Sequence, residues 1–275
     1  MRSAGIGLAI AALAAGCTSG PQGAYLRQFV AAERASSPFE PITTHLPAVT
    51  LAEAYAVQDR YVRRRVRAGD TVAGYKGGLM SAASLRSRGV SEPLVGVLFA
   101  SDAVRDGAAV SLCPYRKASF ELKLGYLLDD VGGPALRASV VPVIDLPDIA
   151  YRDPDRYGAV DMVAANVSAA RYVRGAVRPI ADVDLDAVRM TLRRDGAIVA
   201  SGTGRESLDG QRRSLETVVD QVRKSGRTPK AGDLIVTGKI GDRGWLQPGD
   251  YAADYGVLGV VRFTVTPCGG RAERR

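Results

Sequence analysis

Glu121 and Lys123 stand two residues apart in a stretch where Phe120, Leu122, Leu124, Tyr126 and Leu128 alternate with Glu121, Lys123 and Gly125. Residues i and i+2 leave the same side of a strand, so a carboxylate and an ammonium meet there and can pair. Elsewhere the chemistry is bounded by scarcity. The single histidine, His45, excludes HExxH and three-histidine metal sites, and its Pro-flanked segment reads as a loop. Cys17, Cys113 and Cys268 are too scattered for a zinc knuckle or a disulfide framework. No GxxxxGK(S/T), GxSxG, SxxK or CxxC occurs. That removes the usual cues for phosphate-loop nucleotide hydrolases, serine hydrolases, penicillin-recognising enzymes and thiol oxidoreductases.

The N-terminus reads as an address. Arg2 gives a positive start, and the uncharged run from Ser3 to Gly16 is 14 residues long. Crossing a bilayer core of about 30 Å takes about 20 residues, so the run fits the apolar part of a secretory signal instead. It ends in Leu13-Ala14-Ala15-Gly16-Cys17, which resembles the bacterial lipobox. The resemblance implies lipidation of Cys17, a periplasm-facing place in the cell envelope, and membrane contact through that lipid alone. Thr18 and Ser19 follow with no Asp, which points to the outer membrane in a Gram-negative cell. Cys113 and Cys268 then remain as an even pair in an oxidising compartment, where a disulfide can persist.

The mature chain must position its chemistry with the following elements. Residues 18–23 read as a tether, 24–36 as a helix, and 43–50 as the loop holding His45. Thr50 and Glu53 form a capping box before a helix whose apolar face carries Leu51, Ala54, Tyr55, Gln58, Tyr61 and Val62. A strand is expected over 71–76, broken by Gly77-Gly78, then a short helix over 81–88. From about Leu94 the pattern turns strand-rich, with strands at 120–128, 140–144 and 160–163. A hairpin around Asp195-Gly196 joins 188–192 to 198–200. A helix over 214–224 and strands at 234–237 and 257–265 follow. The class is α+β. The expected division is a leader at 1–16, tether and first helix at 17–49, a helical part at 50–110, a β-rich body at 111–268 and a basic tail at 269–275.

Composition limits the function classes. With 46% hydrophobic residues and 275 in all, the chain can bury a sizeable core as one large or two small domains. Its 37 Lys+Arg against 29 Asp+Glu give +8, but only six are lysines. That arginine bias reads as GC-rich coding, and with no RNA- or DNA-binding motif present, nucleic acid is not an expected partner.

Several segments share an order with one family. They are Leu51-Ala-Glu-Ala-Tyr-Ala-Val-Gln58, Ala73-Gly-Tyr-Lys76-Gly-Gly-Leu-Met-Ser81, Glu92-Pro93, Gly96-Val-Leu-Phe-Ala100, Gly232-Asp-Leu-Ile-Val-Thr-Gly238, Pro248-Gly-Asp250 and Tyr255-Gly-Val-Leu-Gly259. Their order and spacing resemble the 2-keto-4-pentenoate hydratase / 4-oxalocrotonate decarboxylase family of the fumarylacetoacetate hydrolase superfamily, over roughly residues 50–266. The resemblance implies a helical N-terminal segment on a mixed β-sandwich or roll. It implies a short 2-keto carboxylate as ligand, a divalent ion (usually Mg2+ or Mn2+) that polarises its keto or enol oxygen, and addition of water or loss of CO2. Self-association is common in such proteins.

The resemblance also assigns residues. Lys76 matches the active-site lysine, Ser81 a site serine, and Asn166 a site asparagine whose preceding Asp is here Ala165. Thr237 and Gly238 match strand ends near the pocket. The metal would be held by a Glu-x-Glu pair and a third acid; here Glu121 and Asp145 remain, and Lys123 replaces a ligand. An ammonium about 4 Å from a divalent ion is repelled by about 8 kcal/mol at an effective dielectric of about 20, twice the unit-charge figure. The expected cofactor is therefore none, or weakly bound Mg2+ or Mn2+. Three readings stay open: a lyase, a ligand-binding relative without turnover, and a structural envelope protein.

Overall fold

The computed structural model describes residues 20–133, 136–153, 155–180 and 183–269. The expected leader at 1–16, Cys17 and the residues beyond 269 lie outside the described residues. α1 (Pro21–Arg34) starts earlier than the expected Ala24, at a proline whose missing N–H is no loss in a first turn. α2 (Ile42–His45) makes a single helical turn of the expected His45 loop. In α3 (Leu51–Arg67) the capping box is formed, with Thr50 N–H donating to Glu53 Oε2 at 2.8 Å and Glu53 N–H to Thr50 Oγ1 at 3.3 Å. Its inner face buries Ala54, Val57, Gln58 and Tyr61. The Gln58 Nε2 group is satisfied there, donating to the carbonyls of Val95 and Val163 at 2.9 and 3.2 Å.

The body follows with β1 (Val72–Gly78), α4 (Ala82–Ser87), β2 (Leu94–Phe99), β3 (Ala103–Arg105), β4 (Ala109–Ser111), β5 (Ser119–Asp130), β6 (Arg137–Leu146), α5 (Ala159–Ala164), β7 (Arg171–Arg174), β8 (Arg189–Arg194), β9 (Ala197–Thr203), α6 (Gln211–Lys224), β10 (Leu234–Val236), β11 (Ile240–Trp245), β12 (Gly249–Asp254) and β13 (Val260–Thr266). Among the described residues, one mixed sheet runs β2-β1-β10-β5-β6-β7-β3, with β11 also paired to β5. The second runs β4-β13-β12-β8-β9. β5 is the spine of the first sheet. Leu122, Leu124 and Tyr126 pack into the main core on one face, while Lys123 is buried on the other. Val141, Val143, Leu234 and Val236 form a smaller apolar cluster with Leu98 and Tyr172.

Three expectations are corrected. Residues 160–163 are helical, not a strand: a run of four apolar-rich residues suits either period, and the Asp161 carboxylate decides it by accepting the Gly158 N–H at 2.7 Å across the helix start. Gly77 and Gly78 continue β1 rather than breaking it. A Cβ on Gly77 would lie 2.8 Å from Met80 Sδ and from Val218, and one on Gly78 2.5 Å from Val167, so these glycines mark close approach within a strand. β11 and β12 form where no strand is expected from sequence, because Ile240–Trp245 and Gly249–Asp254 are too polar and glycine-rich to show alternation. The Asp195-Gly196 turn does form its hairpin, with both residues at positive φ (50° and 84°) as a tight two-residue turn requires.

Cys113 and Cys268 are bonded, their Cα atoms 4.5 Å apart although 155 residues separate them. The cause is the parallel pairing of β4 with β13, whose last paired residues, Ser111 and Thr266, each precede a cysteine by two positions. The bond closes a long loop of the unfolded chain. Reducing it is expected to lower unfolding free energy by about 2–4 kcal/mol, read from guanidinium denaturation with and without dithiothreitol.

Candidate active site

Three strands of the first sheet carry the charged cluster. β5 pairs antiparallel with β6, which sets Glu121 opposite Asp145 and Lys123 opposite Val143. β1 lies between β2 and β10, in register Lys76↔Gly96 and Lys76↔Val236. Lys76 fits because its neighbour is glycine: a Cβ at Gly96 would stand 3.3 Å from Lys76 Cγ and 2.7 Å from the Asn166 carbonyl oxygen.

Asp145 Oδ2 receives Lys76 Nζ at 2.6 Å and Lys123 Nζ at 3.2 Å, and Lys123 Nζ also lies 3.1 Å from Glu121 Oε2. The result is an alternating chain of charges, Lys76–Asp145–Lys123–Glu121. Lys76, Lys123 and Asp145 are buried, and Glu121 is partly open. Burial lowers the Lys76 pKa below the ordinary ammonium value; Asp145 opposes this and the Lys123 charge adds to it. Burial acts on Lys123 in the same direction, but attraction from Glu121 and Asp145 outweighs it, so its pKa is raised. For Asp145 burial alone would raise the pKa, and the two ammoniums override it and hold the carboxyl low. The pair of lysines is thereby divided into one with a weakened ammonium and one held firmly charged.

Above this cluster opens a cavity of about 330 Å³ lined by Lys76, Lys123 and Glu121. Distant segments supply Arg88, Tyr157, Glu206, Lys239 and Arg243, none of which has a sequence spacing that would have revealed it. Arg88 donates to the Tyr157 carbonyl and stacks its guanidinium 4.3 Å from that ring's centroid. Glu206 is occupied by the N–H groups of Thr203 and Gly241, both at 2.8 Å. Five cations thus face three carboxylates, counting Asp145 beneath the floor, and the surplus positive charge suits an anionic ligand.

The remaining predicted residues are placed differently. Ser81 lines the cavity, but its Oγ caps α4, accepting the Ser84 N–H at 3.1 Å and bonding Ser84 Oγ at 2.9 Å. Asn166 is not on the wall. Its Oδ1 accepts the Val97 N–H at 2.8 Å and its Nδ2 donates to the Val97 carbonyl at 2.9 Å, so its amide is spent on β2. Its role here is to pin the turn of three left-handed residues, Asn166 to Ser168, which presents Val167 and Ser168 to the cavity. Thr237 Oγ1 donates to the Leu124 carbonyl at 2.9 Å and fixes the end of β10. Gly238 is needed because a Cβ there would lie 2.4 Å from Ser207 Oγ.

The residues do not fit a divalent metal. A hard cation takes six or more oxygens, from carboxylates free to ligate it, carbonyls and water. Glu121 and Asp145 are already bridged by the Lys123 ammonium, and among the described residues no group of three His, Cys, Asp or Glu side chains could hold a metal ion.

Asp145→Asn would leave two buried ammoniums without their shared counter-charge. It is expected to cost about 3–5 kcal/mol in denaturation at pH 7. Because the folded Asp145 pKa is depressed, its stabilisation is complete above the unfolded carboxyl value of about 3.9 and is lost as pH falls through the lower folded value. The variant's acid limb should therefore be flatter than that of the wild type.

No family model matches the chain. A 2-keto-4-pentenoate hydratase from Burkholderia vietnamiensis is 33% identical over 239 residues, which cover 82% of this chain and 90% of that one. A 4-oxalocrotonate decarboxylase from Pseudomonas putida G7, solved in complex with magnesium and adipate, superposes with a TM-score of 0.83 at 25% identity, covering 88% of this chain and 96% of its own. A fumarylacetoacetate hydrolase family protein from Yersinia pestis shares the fold at a TM-score of 0.53 and 15% identity, over 70% of this chain and 92% of its own. With an identity of this level spread over nearly the whole of a relative, on a common fold, the chain belongs to the 2-keto-4-pentenoate hydratase / 4-oxalocrotonate decarboxylase family.

Proposed function

We propose that the chain is a lyase that takes a small 2-keto or enol carboxylate and acts from the cell envelope. The observation that carries this is the pair of buried lysines, unequal in proton affinity, at the floor of a cationic cavity. Adding water to an enol acid, or losing CO2 from a keto acid, places negative charge on the oxygen at C2. A fixed cation stabilises that charge without reorganising. Lys123, kept charged by Glu121 and Asp145, supplies such a cation. Lys76 is the proton handler: its weakened ammonium can give a proton from Nζ and recover it, steadied by Asp145 at 2.6 Å. Glu121 is the carboxylate at the cavity edge able to take a proton from water, and Ser81 shapes the rim. The ligand class rests on the hydratase relative. A second reading, ligand binding without turnover, is favoured by the same ion network, since it leaves no carboxylate without an ammonium partner.

Purified protein incubated with 2-hydroxypenta-2,4-dienoate should deplete the dienol absorbance. Lys76→Met should slow this by about 100-fold or more while far-ultraviolet circular dichroism stays unchanged. Absence of turnover in the wild type, with binding retained, would select the second reading.

The envelope setting belongs to the same proposal. The lipobox-like Leu13–Cys17 segment motivates it, and the Cys113–Cys268 bond supports an oxidising compartment. Metabolic labelling with palmitate should mark the wild type and not Cys17→Ala. Equal labelling of both would remove the anchor.

A further inference from the structure

Glu121 and Asp145 face one another directly across the β5–β6 pair. Two carboxylates so placed need a cation between them. Lys123, two residues along β5, reaches back and places Nζ 3.1 Å from one and 3.2 Å from the other. That ammonium is buried, belongs to the chain and cannot be removed by a chelator. It is also at the cavity wall, so a ligand meets it directly. A decarboxylase of the same fold was solved with magnesium, whereas the cation between these two carboxylates is part of this chain. The charge accounting agrees: a lysine where a carboxylate is expected adds two positive units, the same as one divalent ion.

We propose that the Lys123 ammonium replaces the divalent metal of this site, so that the protein binds its small 2-keto carboxylate with no metal at all. This rests on the functional reading above for the identity of the ligand, but not for the identity of the cation. The carboxylate and keto oxygen of such a ligand accept hydrogen bonds from ammonium N–H groups of Lys123 and Lys76. The specificity that follows is for compact, singly charged anions, because an ammonium has fewer directions in which to hold several oxygens than a six-coordinate ion. The same arrangement bars a metal from entering, since Glu121 and Asp145 are both engaged and a divalent ion between them would meet an ammonium first.

The test uses the purified chain and two probes, Mn2+ and pyruvate. Electron paramagnetic resonance of Mn2+ should show no bound ion on the wild type up to about 1 mM, the weak end of the range that protein sites for hard cations span. Lys123→Glu should acquire one ion per chain with affinity at least about 100-fold tighter. Calorimetry should find pyruvate binding to the wild type unchanged within about twofold by EDTA or by added Mn2+. Lys123→Met, which keeps the volume and removes the charge, should weaken pyruvate by about tenfold or more, a loss of about 1.4 kcal/mol. It also serves if Lys123→Glu does not fold. A stoichiometric Mn2+ ion on the wild type at micromolar concentration, loss of wild-type pyruvate binding in EDTA, or full pyruvate affinity in Lys123→Met would each overturn the proposal. Failure of pyruvate to bind under any condition counts against the functional reading alone, and the Mn2+ titrations still decide the cation.

Discussion

Everything at the centre of this protein depends on a buried chain of four alternating charges, Lys76–Asp145–Lys123–Glu121, drawn from three strands of one sheet. None of the three buried members could remain ionised alone in an apolar interior. With the partly open Glu121 the four are formally neutral, and each is within ion-pair distance of an opposite charge. The requirement is mutual, so it constrains the sheet: β5 and β6 must hold the register that opposes Glu121 to Asp145, and β1 must bring Lys76 within reach of Asp145. Slipping β5 by one residue would send Lys123 to the core face and put Leu122, Leu124 and Tyr126 where the charges now meet.

The surroundings look arranged to let that cluster exist beside a cavity. Glycine leaves room at the points of close approach, notably Gly96 beside the Asn166 carbonyl and the Lys76 stem, and Gly78 beside the Val167 side chain. Asn166 gives its whole amide to Val97 and so holds a strained left-handed turn against β2. Tyr255, in the turn between β12 and β13 of the second sheet, donates its hydroxyl to the Val143 carbonyl at 2.6 Å and ties that turn to β6 next to the cluster. The cluster is therefore held among packed and hydrogen-bonded neighbours, and a cation fixed in this way can stabilise developing charge.

Much of the architecture was legible because it follows from local rules. The Thr50/Glu53 capping box, the period-two β5, the Asp195-Gly196 hairpin and α6 each carry their signal within a few residues. The failures share a cause. Residues 160–163 present too short a run for a period to show, and the helix is chosen by Asp161, whose other oxygen is bonded to Thr43 from 118 positions away. β11 and β12 are strands because partners exist for them, not because their residues favour it.

The same division runs through the site. The sequence by itself determined that Glu121 and Lys123 share a strand face, that Lys76 lies in a glycine-flanked strand, and which family the segments follow. It also made the two later cysteines an even pair. Only the tertiary structure decided that Lys76 and Lys123 converge on one Asp145 oxygen, that Asn166 serves the backbone and not the cavity, and that Arg88, Lys239 and Arg243 join the wall. The reason is physical. Which face a side chain takes is set by the period of its own strand, whereas which charges meet is set by strand order and register between segments far apart in the chain.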